Sequence, residues 1–133
     1  MTAVLESIEA TKGATDQSSL LAVARFFTVP PTGDVMQRLT GKGSSVLDRV
    51  KKGGRLQSAD DRAHLEVLAA FVRELESYLT HSMGSRSPDA HGMERWLAAG
   101  QVEVGARILR PIDALSDREL AVGALNSLRA TLD

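Results

Sequence analysis

Between residues 65 and 79 the chain places Leu65, Leu68, Val72, Leu75 and Leu79 at steps of three and four. That spacing winds all five onto one side of an α-helix, with Glu74 and Glu76 left on its solvated side. Such a helix cannot stand alone in water, so the remaining chain must supply an apolar surface to cover the stripe. Its start is marked by Ser58-Ala59-Asp60-Asp61, a hydroxyl for the N-cap followed by carboxylates in the first turn, where the helix dipole favours them. Asp60 and Asp61 are therefore expected to serve the helix rather than a metal. Its end falls near Met83-Gly84.

The covering surface has to be aliphatic. Of the 133 residues 43% are hydrophobic but only 4% aromatic, so the core is built from Leu, Val and Ala, a mixture that favours helices over β-sandwiches. With 25% charged residues the chain has the composition of a folded domain, of a size that one core can organise. The absence of Cys excludes disulfides, thiolate metal sites, iron–sulfur clusters and thiol catalysis. No apolar run approaches the roughly 20 residues of a membrane helix, and no basic-then-apolar leader opens the chain. The expectation is a cytoplasmic protein with no membrane segment.

Shorter elements flank the long one. Residues 1–16 read either as a short amphipathic piece around Val4, Leu5 and Ile8 or as a frayed tail. A helix follows from Asp16, read as its N-cap, to Phe27, and Val29-Pro30-Pro31-Thr32-Gly33 stops it. Two brief helices at 34–40 and 44–52 are separated by Gly41-Lys42-Gly43. Beyond a loop at 84–89, Met93, Trp96 and Leu97 mark a short helix ended by Gly100. Pro111–Leu115 reads as one turn with Pro at its first position. Ser116-Asp117-Arg118-Glu119 has the spacing of a capping box, and Leu120, Ala124, Leu125, Leu128 and Leu132 form the last stripe. Only Val102–Val104 hints at a strand. The fold class predicted is all-α: a small helix-turn-helix bundle (1–57) joined by a connecting and dimerisation helix (58–83) to a C-terminal helical module (84–133).

Charge singles out the first of these parts. The chain's net charge is −1, yet residues 38–55 carry Arg38, Lys42, Arg49, Lys51, Lys52 and Arg55 against Asp48 alone. On the helix at 44–52, Ser45, Asp48, Arg49 and Lys52 fall within a sector of about 100°, opposite Val46, Leu47 and Val50. That is the division a recognition helix requires, polar outward and apolar inward. Arg49 suits a guanine edge, and Asp48 either accepts from cytosine or steadies Arg49. Lys42, Lys51 and Arg55 flank the helix for phosphates, and Ser44 caps it. Duplex DNA is the partner this pattern predicts.

Other chemistries find less support. Gly41-Lys42-Gly43-Ser44-Ser45 lacks the earlier glycine and the preceding strand of a phosphate loop. His64, His81 and His91 show no metal-ligand spacing and read as solvated helix-surface residues. No Ser–His–Asp set or carboxylate pair stands out, so neither catalysis nor a cofactor or metal is expected. Trp96, the only Trp, reads as a core anchor, with a place at a protein interface as the alternative.

The second half carries a family resemblance. Glu94-Arg95-Trp96-Leu97, a Gly-containing link, Pro111-Ile112-Asp113-Ala114-Leu115 and a closing amphipathic helix resemble, in order and in a few positions, the Xre/MbcA/ParS antitoxins. The upstream helix-turn-helix, and the long helix opening after Leu56-Gln57-Ser58, extend the likeness over residues 20–130. Arg107 stands near where that family has Gly, and the link from Leu97 to Pro111 is longer. The resemblance implies a dimeric antitoxin that represses its own operon through the N-terminal half. Through the C-terminal half it would bind a toxin of the NAD-consuming RES-domain class, with Trp96, Arg107, Arg110, Arg129 and Asp133 on the partner surface. Two other readings fit the same sequence: a dimeric phage- or plasmid-type repressor with no toxin, and an inhibitory interaction module that does not bind DNA.

Overall fold

A computed structural model describes residues 16–83 and 90–132, so the loop 84–89 and all but the last residue of the piece at 1–16 lie outside it. The chain is all-α with one small hairpin. Helical residues 16–27 (α1) precede α2 (Asp34–Thr40), α3 (Ser44–Lys51), α4 (Ala59–Met83) and α5 (Ala90–Ala99). Strands β1 (Val102–Val104) and β2 (Arg107–Leu109) follow, then α6 (Pro111–Leu115) and α7 (Arg118–Leu132). No described helix is long and apolar enough to cross a membrane.

One apolar core runs through all of these helices. Leu20, Val23 and Phe27 of α1 are wholly buried with Met36 and Leu39 of α2 and Val50 of α3. The same cluster continues through Leu65, Leu68, Val72 and Leu75 of α4 to Leu97, Leu115 and Leu125. Burying each large aliphatic side chain contributes about 1.5–3 kcal/mol. The long helix is therefore the common wall of both halves: α1–α3 and α6 pack near its start, where His64 meets Leu115, α7 runs along it from Asp60 to Glu74, and Trp96 of α5 stacks on Phe71 further on.

The long helix starts as expected, with the Ser58 hydroxyl accepting from the N–H groups of Asp60 and Asp61 at 3.2 and 3.4 Å. The last helix starts one residue later than the capping box implied. Asp117 is its cap, accepting from the Leu120 N–H at 3.0 Å, whereas the Ser116 hydroxyl turns back onto the Ile112 carbonyl. Asp16 is already helical. Its carboxylate, buried in the core, accepts the Leu56 N–H at 2.8 Å from 40 residues along the chain.

His64 departs furthest from its expected place. It is buried on α4, and its Nε2 lies 2.8 Å from the Leu115 carbonyl oxygen. It stands four residues before Leu68 and seven before Phe71, both buried, so it belongs to the inward face. The side chains of His81 and His91 lie outside the described residues.

The strand hinted at by Val102–Val104 exists and has a partner. It pairs antiparallel with β2, Val102 opposite Leu109 and Val104 opposite Arg107. The link is a two-residue turn in which Gly105 has φ +61°, a backbone region open to Gly at little cost. The hairpin sits on α7 at Gly123, where an added Cβ would lie 2.7 Å from Val104 Cγ1.

Candidate nucleic-acid interface

The helix-turn-helix is built from Asp34 to Lys51. At the end of α2, Gly41 takes φ +70° and its N–H bonds the Gln37 carbonyl at 2.9 Å. The Thr40 hydroxyl donates to the Met36 carbonyl at 2.7 Å and accepts the Lys42 N–H at 3.2 Å. The turn therefore covers three residues, Gly41-Lys42-Gly43, a length typical of this motif.

Helix α3 is divided as its sequence predicts. Leu47 and Val50 point into the core; Ser44, Ser45, Arg49, Lys51 and Lys52 are exposed, and Asp48 is half-buried. Its end is closed by a Schellman motif, with Gly53 N–H on the Val50 carbonyl at 2.9 Å and Gly54 N–H on the Arg49 carbonyl at 2.8 Å. Gly53 has φ +102°. At Gly54 a Cβ would stand 2.8 Å from both the Arg49 carbonyl and its Cγ. From the far side, the Gln17 amide donates to the Lys51 carbonyl at 2.8 Å, tying α1 to the last turn. The last turn of α3 is thus held both by its own closing bonds and by α1.

Ser44 takes a different place from the one expected. Gly43 is the N-cap of α3 and makes no side-chain cap bond, so Ser44 is the first helical residue, its side chain exposed beside uncapped backbone N–H groups.

The cations divide into two sets. Lys42 is held by Asp61 of α4 at 2.6 Å, and Lys52 by Asp48 one turn back at 2.9 Å. Among the described residues, Arg49, Lys51 and Arg55 have no carboxylate partner, and all three are exposed. Arg38 leaves the patch: it reaches across to Asp113 of α6 at 2.8 Å. Asp48 pairs with Lys52 and not with Arg49, so the alternative in which Asp48 steadies Arg49 is not what the structure shows, and Arg49 is left on the outer face without a carboxylate partner among the described residues.

The C-terminal residues singled out in the sequence do not form one cluster. Trp96 is half-buried, stacked on Phe71 at a ring separation of 6.3 Å and 15° between planes. Its indole also covers Gly100, where a Cβ would fall 2.4 Å from Trp96 Cδ1. Trp96 is therefore both a packing residue and a wall of an open groove of about 220 Å³, shared with Leu75, Tyr78, Val102 and Leu128. Arg107 is exposed on β2, next to Ile108, which is 63% exposed. Arg110 is paired with Asp113 at 2.7 Å, and this hydrogen bond holds the Asp113 carboxyl below the usual carboxylate range and raises the Arg110 guanidinium. Arg129 reaches Glu74 of α4 at 3.5 Å. Asp133 lies outside the described residues. Sequence reasoning missed Phe71 and Tyr78, although Phe71, Leu75 and Tyr78 follow one another at steps of four and three on α4.

Among the described residues no group of three or more His, Asp or Glu side chains is arranged to hold a metal ion. In comparisons with known proteins, no family model matches the chain, and neither a curated protein nor a solved structure is significantly similar to it.

Proposed function

We propose that this chain is a cytoplasmic regulator that binds duplex DNA through α3 and represses transcription by occupying its operator. The observation that carries this reading is the division of α3: Leu47 and Val50 are anchored in the core, while Arg49, Lys51 and Lys52 are exposed on a helix whose last turn is held by Gly53, Gly54 and Gln17. Arg49 reads a base edge, and Lys51 and Arg55 contact phosphates. A protein using several such cations binds less tightly as salt rises, in proportion to the phosphates it neutralises. Anisotropy titrations of the full chain against genomic duplex fragments at several salt concentrations test the proposal. The expected result is a linear fall of log affinity with log salt. No binding at low salt, or binding unchanged in a Lys42→Ala/Arg49→Ala/Lys52→Ala variant, overturns it.

A second function, neutralisation of a protein toxin, is favoured by the apolar groove beside Trp96 and by the exposed Ile108 on the hairpin. Growth rescue of cells expressing a RES-domain toxin encoded beside this chain tests it. Rescue lost on Arg107→Ala/Ile108→Asp with DNA binding intact is the expected outcome; no rescue by the unaltered chain rejects it.

A further inference from the structure

The outward side of α4 carries a second pattern, distinct from the stripe that enters the core. Asp60, Ala63, Val67, Ala70, Glu74 and Ser77 follow one another at alternating steps of three and four, which is a heptad repeat. Ala63, Val67 and Ala70 are half-buried at its centre, and Val122 of α7, 38% exposed, lies beside them. The two polar ends are held by α7, Asp60 by Arg118 at 3.2 Å and Glu74 by Arg129 at 3.5 Å. These two bonds also show that α4 and α7 run side by side in the same direction. Together they present an apolar face of Ala63, Val67, Ala70 and Val122, with a hollow between the two helices.

The charges flanking this face are unbalanced along its length. Glu66 stands at the front and Arg73, seven residues on, at the rear of the same edge; both are exposed and have no ion partner among the described residues. On α7, Arg118 and Arg129 are engaged with Asp60 and Glu74, which leaves the exposed Glu119 at the front. A parallel neighbour would set acid against acid and base against base. A copy related by a two-fold axis perpendicular to the helices sets acid against base at both ends.

We infer that this α4–α7 face is the dimer interface of the protein, joined antiparallel to a second copy of the same chain. In that register Val67 lies opposite Ala70 of the partner subunit, and Ala63 lies opposite Glu74 of the partner subunit. Glu66 and Arg73 of the partner subunit stand between those two layers, about 3 Å apart along the helix axis, and the two-fold generates the pair twice. The two-fold neighbour is thus specified by an apolar centre and by two identical salt bridges. The inference does not depend on DNA binding, because neither Glu66 nor Arg73 belongs to the α3 surface.

Sedimentation equilibrium of the full chain without DNA tests it, using Glu66→Arg, Arg73→Glu and the double exchange. The unaltered chain is expected to be a dimer. Each single exchange turns two attractions into two repulsions and should weaken the dimer about tenfold. The double exchange should restore it. An equimolar mixture of the two single variants should also restore it, because every facing pair is then opposite in sign. A monomer for the unaltered chain, a dimer indifferent to the single exchanges, or a mixture no tighter than its components each overturns the inference. Circular dichroism on every variant confirms that the exposed exchanges leave the helices intact.

Discussion

The two ends of α4 are packed in opposite ways. At its front the chain folds three short helices whose outer surface is cationic and polar, with apolar residues withdrawn into the core. At its rear, α5, the hairpin and the end of α7 leave apolar surface in view: Trp96 half-buried, Tyr78 exposed, Ile108 more exposed than covered. A cationic face suits a uniformly charged polymer approached through water, whereas apolar residues beside a groove gain free energy only when another molecule removes them from water. One core supports both surfaces, so damage to it should affect both, and damage to either surface should affect one.

The largest expected effect blurs this contrast. Leu47→Ala empties a buried position beneath the exposed face of α3 and should cost about 2–5 kcal/mol in urea denaturation. Because the core is continuous, a separate transition for the front end would break the picture of a shared scaffold. Trp96→Ala removes a stacked but half-buried ring and should cost about 3 kcal/mol, with DNA affinity preserved under conditions where the variant stays folded. Asp16→Ala leaves the buried Leu56 N–H without its acceptor and should cost about 1–3 kcal/mol, read by the same denaturation.

Arg49→Ala should leave stability within about 0.5 kcal/mol and reduce discrimination between duplexes by about 1–3 kcal/mol. Lys51→Ala should instead weaken all duplexes alike and lower the salt slope by about 1. Equal behaviour of the two variants in anisotropy titrations would remove Arg49 from base reading. The smallest effect concerns Asp113, whose carboxyl is held low by Arg110. A carboxyl with a depressed folded-state pKa supports the fold above its unfolded value and loses that support as pH falls through the folded one. Acid titration followed by NMR should find Asp113 among the last carboxyls to protonate, and Arg110→Ala should bring it back toward the ordinary range.

Much of the front end was legible because its signals are local. Ser58 before two carboxylates, glycines around Lys42, and Leu47 and Val50 opposite Arg49 each fix a feature within one or two turns. What escaped depends on distant partners. His64 looks like any polar residue on a helix until the Leu115 carbonyl arrives from 51 residues away to receive its ring. Of the hairpin only β1 left a hint; β2 is three residues, too short for alternation to register, and it finds β1 because Gly105 turns the chain, while Gly123 lets the hairpin sit close on α7. The ion pairs that sort the cations, Lys42 with Asp61 and Arg38 with Asp113, likewise join separate elements. Charge counting alone treats all six basic residues of that stretch as equivalent.

The carboxylate of Asp16 has one more consequence. By gripping the Leu56 amide it ties the beginning of α1 to the approach of α4, closing a loop that contains α1, α2 and α3. With 7 residues in α2, 8 in α3 and the described α1 spanning only 16–27, none of the three is long enough to hold its shape alone in water with any persistence. Closing a loop of that size costs little more entropy than closing one half as long. The three helices therefore gain or lose their order together, and the Leu56 amide should exchange its hydrogen on the timescale of that common opening, not of any single helix.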